Sequence, residues 1–259
     1  MPELPDLEVI GKNLEKRLSG KKVQNVNASK TKKQTTTTEQ FVGALSGATV
    51  NSVRREGKEL LFSFDNGIKV SMHLMREGQL YINEDGNIKH QIIKLEFEDG
   101  DFFVMSDFMK QAVAVIDPEL SEVPDALSEG FTIDYLTSRL AKKKTATIKG
   151  FLVDQSNIRG IGNAYADEIL WAALVSPKTK CGKIPQDAIE VLYQKIGEIL
   201  LKAEDSIRER EPDLISGEIR DFLCVHNKNA TESPTGQPII NEKIGGKSTY
   251  YTQEQVLYE

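Results

Sequence analysis

The chain has 259 residues, 39% hydrophobic and 28% charged, an ordinary composition for a globular protein of one large or two modest domains. No apolar run approaches the roughly 18 residues of a membrane span, and no charged-then-apolar signal opens the chain, so we expect a cytoplasmic protein without membrane contact. The net charge of −6 argues against a nucleic-acid partner overall, but its distribution is uneven: Asp117–Asp134 has six acidic residues and no basic one, whereas Tyr135–Lys149 has five basic residues and no acidic one.

The first half of the chain predicts a β domain preceded by a helix. Apolar residues spaced by three and four predict a helix over Leu7–Leu18. Short alternating or apolar runs, separated by Asp-Gly and Asn-Gly turns, then predict antiparallel strands at Glu59–Phe64, Ile68–His73, Gln79–Ile82, Ile92–Phe97 and Phe102–Ser106. The turns include Glu84-Asp85-Gly86, and the threonine-rich segment Lys30–Thr38 is predicted as a mobile loop.

The second half is predicted to be helical and to end in a hairpin. Candidate helices are Tyr135–Lys142, Thr145–Gln155, Ala164–Leu174 and Pro185–Ile207. Turn and strand signals return after Asn227. We therefore predict an α+β protein with a β-sandwich domain at residues 1–116, an acidic linker at 117–134, a helical domain at 135–226 and a β-hairpin at 227–259.

The N-terminal octapeptide carries the most distinctive chemistry. Removal of Met1 would expose the secondary amine of Pro2, and an α-amino group has a pKa of about 8, roughly two units below that of lysine. Such an amine condenses with an aldehyde to a permanently charged iminium, and Glu3 beside it could move protons. On these residues alone, a proline that simply begins a helix is the simpler interpretation.

Further motifs follow in a fixed order along nearly the whole chain. They are Pro2-Glu3-Leu4-Pro5, Arg55-Glu56-Gly57-Lys58-Glu59-Leu60-Leu61, Met72-His73-Leu74 with Gly78, Lys142–Lys144 through Asp154-Gln155, and Gly160-Ile161-Gly162-Asn163-Ala164-Tyr165-Ala166-Asp167-Glu168. Together they resemble the formamidopyrimidine-DNA glycosylase and endonuclease VIII family, whose helical domain is a helix–two-turn–helix module. The glycines and the helix start near Asn163 suit a phosphate, and the upstream lysines suit a DNA backbone.

The resemblance implies base excision with strand scission on damaged DNA, duplex or single-stranded, by a monomer without a cofactor. Pro2 would be the nucleophile, with Glu3 and Lys58 moving protons. The residues at the family's phosphate-gripping positions are His90, Lys110, Lys149, Asn163 and Lys247.

Two departures from the family pattern stand out. The four zinc-binding cysteines of the hairpin are replaced by Glu232, Thr235, Thr252 and Gln255, so we expect no metal there and a hairpin held by packing of Ile239, Ile240, Tyr250 and Tyr251. The residues that fill the gap left by the flipped base are changed to Arg76, Met109 and Gln111, which removes the phenylalanine wedge. We therefore expect a lesion range that differs from 8-oxoguanine in duplex DNA.

Two alternatives stay open on sequence grounds. A non-catalytic relative that binds damaged DNA would keep the fold but would have no need for Pro2 and Glu3. A ribosome-associated or topoisomerase-like module would account for the helical half but would leave residues 1–60 unexplained.

Overall fold

A computed structural model describes residues 1–29, 31, 33–34, 36–83 and 88–259. Contacts divide the chain into two compact units, Met1–Leu120 with Ile207–Glu218, and Ser121–Ser206 with Ile219–Glu259. Within the described ranges, no helix is long and apolar enough to cross a membrane.

The first unit is a β-sandwich with two helices. Helix α1 (Leu4–Leu18) precedes β1 (Val23–Ala28), α2 (Thr38–Leu45), β2 (Val50–Glu56), β3 (Glu59–Phe64), β4 (Lys69–His73), β5 (Gln79–Ile82), β6 (Gln91–Phe97), β7 (Phe102–Ser106) and β8 (Val113–Ile116). The strands form two antiparallel four-stranded sheets, in the orders β1-β6-β7-β5 and β2-β3-β4-β8. The predicted antiparallel sandwich with a flanking helix is confirmed.

The core of this unit joins the helices to both sheets. Leu7, Ile10, Leu14 and Leu18 lie on one face of α1 and are at most 1% exposed. They belong to one buried cluster with apolar residues of both sheets, including Phe62 and Phe103, whose rings are 5.4 Å apart. Burial of this continuous apolar surface fixes α1, and therefore the N-terminus, against the sandwich.

Helix α2 corrects the loop prediction at its C-terminal end. Thr37 caps the helix through a capping box with Gln40, because each side chain accepts a hydrogen bond from the other residue's backbone N–H. The threonine run therefore ends at the start of α2, whose first residue is Thr38. Lys30, Lys32 and Thr35 of the predicted loop, and the predicted turn Glu84-Asp85-Gly86, lie outside the described residues.

The second unit is helical and ends in a hairpin. Its helices are α3 (Ile133–Lys142), α4 (Ile148–Val153), α5 (Asn163–Ala172) and α6 (Gln186–Arg210), although the last residues of α6 count with the first unit. Strands β9 (Ile240–Ile244) and β10 (Lys247–Tyr251) pair antiparallel around Gly245-Gly246, both with positive φ. The predicted helix–two-turn–helix region and C-terminal hairpin are confirmed, although α4 is shorter than predicted because Thr147 caps it and Asp154 ends it.

Candidate functional site

Pro2 and Glu3 lie at the start of α1 and are buried. Glu3 is the N-cap residue and is 4% exposed, and its backbone N–H donates a 2.8 Å hydrogen bond to the carboxylate of Asp6. The Met1 ammonium lies 3.0 Å from Glu218 Oε2, so a carboxylate also stands close to the N-terminus. The cap and the buried helix give Pro2 and Glu3 a fixed place relative to the sheet β2-β3-β4-β8.

Lys58 lies in the two-residue turn between β2 and β3. Glu56 pairs with Glu59, which leaves Gly57 and Lys58 as the turn, and Gly57 has φ +61°, a conformation that suits glycine. Lys58 is half-buried.

Arg55 connects this turn to α1. Its guanidinium donates to Gly57 O at 3.2 Å and to Glu8 Oε2 at 2.8 Å, and Arg55 is itself largely buried. Burial would raise the pKa of Glu8, but the charge and hydrogen bond of Arg55 and those of Lys12 lower it overall. The helix that carries Pro2 and Glu3 is therefore tied by an ion pair to the turn that carries Lys58.

His73 lies at the end of β4, next to the strand that follows Lys58. Its Nδ1 accepts a 2.9 Å hydrogen bond from the backbone N–H of Met75. Burial, together with the charges of Lys58 and Lys33, lowers the pKa of His73 from 6.5 to about 4. The imidazole is therefore neutral at physiological pH, and the sequence motif around Met72-His73-Leu74 was the signal that could have identified it.

A rigid loop after β7 carries several predicted DNA contacts. The carboxylate of Asp107, which is 1% exposed, accepts hydrogen bonds from the N–H groups of Met109, Gln111 and Ala112 at 2.6–2.8 Å. His90 is joined to the loop, since its carbonyl accepts from the Asp107 N–H at 2.9 Å. The predicted residues His90, Lys110 and Met109 are exposed around this loop, and Gln111 is half-buried.

Arg76 lies elsewhere in the first unit, in the segment after β4. It is exposed. Gly78 in the same segment is tightly enclosed, because a Cβ there would lie 2.3 Å from Leu74 O. The backbone that presents Arg76 is therefore a closed turn that requires glycine at position 78.

Three predicted phosphate contacts of the second unit lie together. The ammonium of Lys149 donates 2.6 Å hydrogen bonds to Asn163 O and to Asp167 Oδ1. The side-chain amide of Asn163 donates to Ser248 O at 2.7 Å, next to the exposed Lys247 at the start of β10. The structure thus joins the start of α5 to the hairpin at the residues that were selected from sequence.

Lys149 is more enclosed than a surface phosphate contact would be. It is 1% exposed, and the Asp167 carboxylate beside it is fully buried. The second oxygen of Asp167 lies 2.6 Å from His226 Nδ1 and accepts from the Tyr250 N–H at 3.1 Å. The ring of His226 packs edge-on against that of Tyr250 at 4.7 Å, so the buried Asp167 carboxylate joins α5 to the hairpin through these two residues.

Glu168 anchors the segment that leads into the hairpin. Its carboxylate accepts hydrogen bonds from the backbone N–H groups of Cys224, Val225 and His226 at 2.7–2.8 Å. Burial raises the pKa of Glu168, although the three donors favour the ionised form. Sequence reasoning placed Asp167 and Glu168 in a motif but assigned them no partner; the partners of Glu168, and His226 and Tyr250 beside Asp167, lie more than fifty residues away.

The four places that hold cysteines in the zinc-binding relatives do not form a metal site. Thr235 and Thr252 donate to Glu254 Oε2 at 2.8 and 3.1 Å, and Gln255 accepts from the Thr252 N–H at 2.9 Å. Hydroxyl and amide groups do not replace thiolates as zinc ligands, and in the described part of the chain no three His, Cys, Asp or Glu side chains are grouped to hold a metal ion. We call Thr235, Thr252, Glu254 and Gln255 the polar clasp.

Polar contacts accompany the apolar packing that was predicted to hold the hairpin. Ile239, Ile240, Tyr250 and Tyr251 are only half-buried. The buried hairpin residues are polar: Ser233, Thr249, Thr252 and Gln255 are each at most 6% exposed. Gln255 also donates to Val175 O at 2.9 Å, so hydrogen bonds fix the end of the chain.

Comparison with known proteins agrees with this arrangement. Residues 1–112 match the family described as formamidopyrimidine-DNA glycosylase N-terminal domain, and residues 123–210 match formamidopyrimidine-DNA glycosylase H2TH domain. The formamidopyrimidine-DNA glycosylases of Exiguobacterium sibiricum and Bacillus licheniformis are each 33% identical to the chain, over 97% of it and 97% and 98% of their own lengths. The solved complex of Lactococcus lactis Fpg with DNA containing an abasic site superposes with a TM-score of 0.84 at 26% identity, over 97% of this chain and 98% of that one. The chain belongs to the formamidopyrimidine-DNA glycosylase family.

Proposed function

We propose that the protein is a DNA base-excision glycosylase with an associated lyase activity at abasic sites. The observation that carries the proposal is the link from α1 to the Lys58 turn through Glu8, Arg55 and Gly57, at 2.8 and 3.2 Å. It ties the helix that carries Pro2 and the buried carboxylate of Glu3 to the β2–β3 turn that carries the Lys58 amine. Relatives that span nearly the whole chain are named formamidopyrimidine-DNA glycosylases, and the Lactococcus lactis Fpg was solved on DNA with an abasic site.

The proposed chemistry begins once Met1 has been removed. The nitrogen of Pro2 forms a bond to the sugar C1′ while the C1′–base bond breaks, and the departing base takes the electron pair and a proton. The nitrogen then loses its proton, Glu3 protonates the ring oxygen as the sugar opens, and a cationic iminium remains.

The iminium allows the second half of the reaction. It acidifies C2′, a base removes a proton there, and the C3′–oxygen bond breaks to release the 3′ phosphate; water then frees Pro2. Lys58, at the turn beside α1, assists proton transfer in this elimination. His90, Lys110, Lys149, Asn163 and Lys247 hold phosphates of the bound strand; for Lys149, this means that a phosphate shares the ammonium with Asp167 and Asn163.

Borohydride trapping on an oligonucleotide with an abasic site tests the proposal. We expect a covalent band from wild-type protein with a mass-verified N-terminal proline, its near loss in Pro2→Gly and a weaker band in Glu3→Gln. Pro5→Ala is the matched control, because it changes a second buried proline in the same segment. Absence of a band from the verified wild-type protein would contradict lyase chemistry and favour the damage-binding, non-catalytic alternative.

The lesion range is the second part of the proposal. Arg76, Met109 and Gln111 occupy places where the family fills the gap left by the flipped base, and two of them are exposed on closed or rigid segments. Different side chains there contact the opposite base differently, so we propose a substrate range other than 8-oxoguanine opposite cytosine. Screening against oligonucleotides with oxidised pyrimidines, ring-opened purines and single-stranded lesions tests it; excision confined to 8-oxoguanine opposite cytosine would refute it.

A further inference from the structure

Phe108 is an aromatic side chain that the fold holds out of its core. Among the ten phenylalanines, all within the described ranges, seven are at most 5% exposed, two are half-buried, and Phe108 alone is exposed, at 72%. Its ring lies edge-on to that of His90 at 6.2 Å, the one ring contact it makes among the described residues, and most of the ring is accessible. An exposed aromatic of this size is a candidate contact for a ligand with a flat apolar face.

The backbone under Phe108 is rigid. Asp107, directly before it, is buried and receives three backbone N–H donors from the following residues, and its carbonyl accepts from the Lys110 N–H at 3.0 Å. Lys110 has φ +54°, so the loop is a tight turn with a defined left-handed residue. A ring on such a turn is presented in one place, which lowers the entropy lost when it stacks on a partner.

The sheet topology places this loop at the same end as Lys58. In the sheet β2-β3-β4-β8, Leu60 pairs with Met72, and Met72 pairs with Ala114. The start of β3, the end of β4 and the start of β8 therefore lie at the same end of this sheet. Lys58 directly precedes β3, and the loop of residues 107–112, which carries Phe108, directly precedes β8. Two strand spacings, about 10 Å, separate β3 from β8, so the loop that carries Phe108 lies close to the Lys58 turn.

We propose that Phe108 stacks on a nucleobase beside the nucleotide that is attacked and fills the gap in the duplex; this inference rests on the proposed function. Every base offers a π face, so an exposed ring can stack without sequence preference, and an inserted apolar side chain supports an unstacked step. Lys110 and His90 flank the ring and provide positive or hydrogen-bonding groups for the adjacent phosphates. The aromatic wedge that the sequence lacks at Gln111 is supplied by Phe108, three residues earlier in the same loop.

The test compares duplex with single-stranded DNA, because a gap exists only in the duplex. The rate of borohydride trapping is measured on an abasic site in each form, which requires no knowledge of the natural lesion. Phe108→Ala is expected to slow trapping on the duplex on the order of 10- to 100-fold, with little change on the single strand. Phe108→Trp should restore the duplex rate, and Val115→Ala, a partly exposed β8 residue, serves as the control.

A binding measurement adds a readout that does not depend on chemistry. In a Trp171→Phe background, which removes the chain's single tryptophan, the indole of Phe108→Trp should be quenched by duplex DNA containing a tetrahydrofuran abasic analogue. An unchanged duplex trapping rate in Phe108→Ala, an equal fold-loss on duplex and single-stranded DNA, or no quenching would each overturn the assignment. Failure of wild-type protein to trap abasic DNA in either form would instead count against the proposed lyase function, while quenching would still decide the role of Phe108.

Discussion

Replacing Asp167 with asparagine should destabilise the second unit strongly. The carboxylate is fully buried and lies 2.6 Å from the ammonium of Lys149, which is 1% exposed. It also lies within hydrogen-bond distance of His226 Nδ1 and accepts a hydrogen bond from the Tyr250 N–H. Asp167→Asn keeps the shape but leaves a buried ammonium opposite a neutral amide. Removal of one partner from a buried ion pair costs about 3–5 kcal/mol, a large part of the roughly 5–15 kcal/mol by which proteins are stable.

Urea unfolding measures this loss. Far-UV circular dichroism follows the whole chain, and the fluorescence of Trp171, near the end of α5, reports on the helix that carries Asp167. Glu198→Gln is the matched control, because its ion pair with Lys195 is exposed and should change stability by less than about 1 kcal/mol.

A double-mutant cycle separates the ion pair from other effects of the substitution. Lys149→Met removes the ammonium that Asp167→Asn would leave without its counter-charge, so the double variant should be more stable than the sum of the single losses predicts, by about 1–3 kcal/mol. A loss below about 1 kcal/mol for Asp167→Asn, or strict additivity in the cycle, would refute the reasoning.

Three further outcomes follow from local features. Burial and neighbouring lysines lower the pKa of His73 from 6.5 to about 4, so the neutral imidazole contributes about 3 kcal/mol to the unfolding free energy above pH 6.5. This contribution is lost as the pH falls towards 4. His73→Gln should therefore flatten that part of the pH–stability curve in urea titrations, and an unchanged curve would contradict the argument. Glu254→Gln should weaken the polar clasp by about 1–2 kcal/mol and speed proteolysis of the hairpin, whereas a chelator should leave the wild-type Tm unchanged; a chelator-induced drop would reveal a metal. Gly78→Ala should lower stability by about 1–3 kcal/mol in thermal melts because its Cβ would meet the Leu74 carbonyl, whereas Gly197→Ala on an open helix surface should be neutral or stabilising.

Local patterns predicted the secondary structure well where they were periodic. The predicted strands Glu59–Phe64, Gln79–Ile82 and Phe102–Ser106 agree residue for residue with β3, β5 and β7. Alternation and turn residues carry this information within a few positions, so tertiary contacts are not needed to find it. Helix α2 escaped because its start is a run of threonines, and the decisive signal was the capping pair with Gln40.

The partners of the site residues could not be predicted in the same way. Asp167 and His226 are 59 positions apart, and their contact exists because the hairpin returns to α5. An Asp-Glu pair on a helix is usually solvated, and burial of the Lys149 ion pair depends on packing that no local pattern encodes. The family resemblance therefore selected Lys149 and Asn163 as predicted phosphate contacts, but the sequence did not predict the partners that hold them.

The two departures from the family pattern have a common physical explanation. At the hairpin, the carboxylate of Glu254 joins Thr235 and Thr252, although position 254 is not one of the four replaced cysteine places. In the loop after β7, the exposed ring belongs to Phe108 and not to the position of Gln111. With the role proposed for Phe108, a neighbouring residue in both cases acts near the place of the missing group, because a tight turn brings several side chains together. A role is selected by position in space, so the loss of a residue from its aligned place is weak evidence that the role is lost, and contacts of the adjacent residues decide the question.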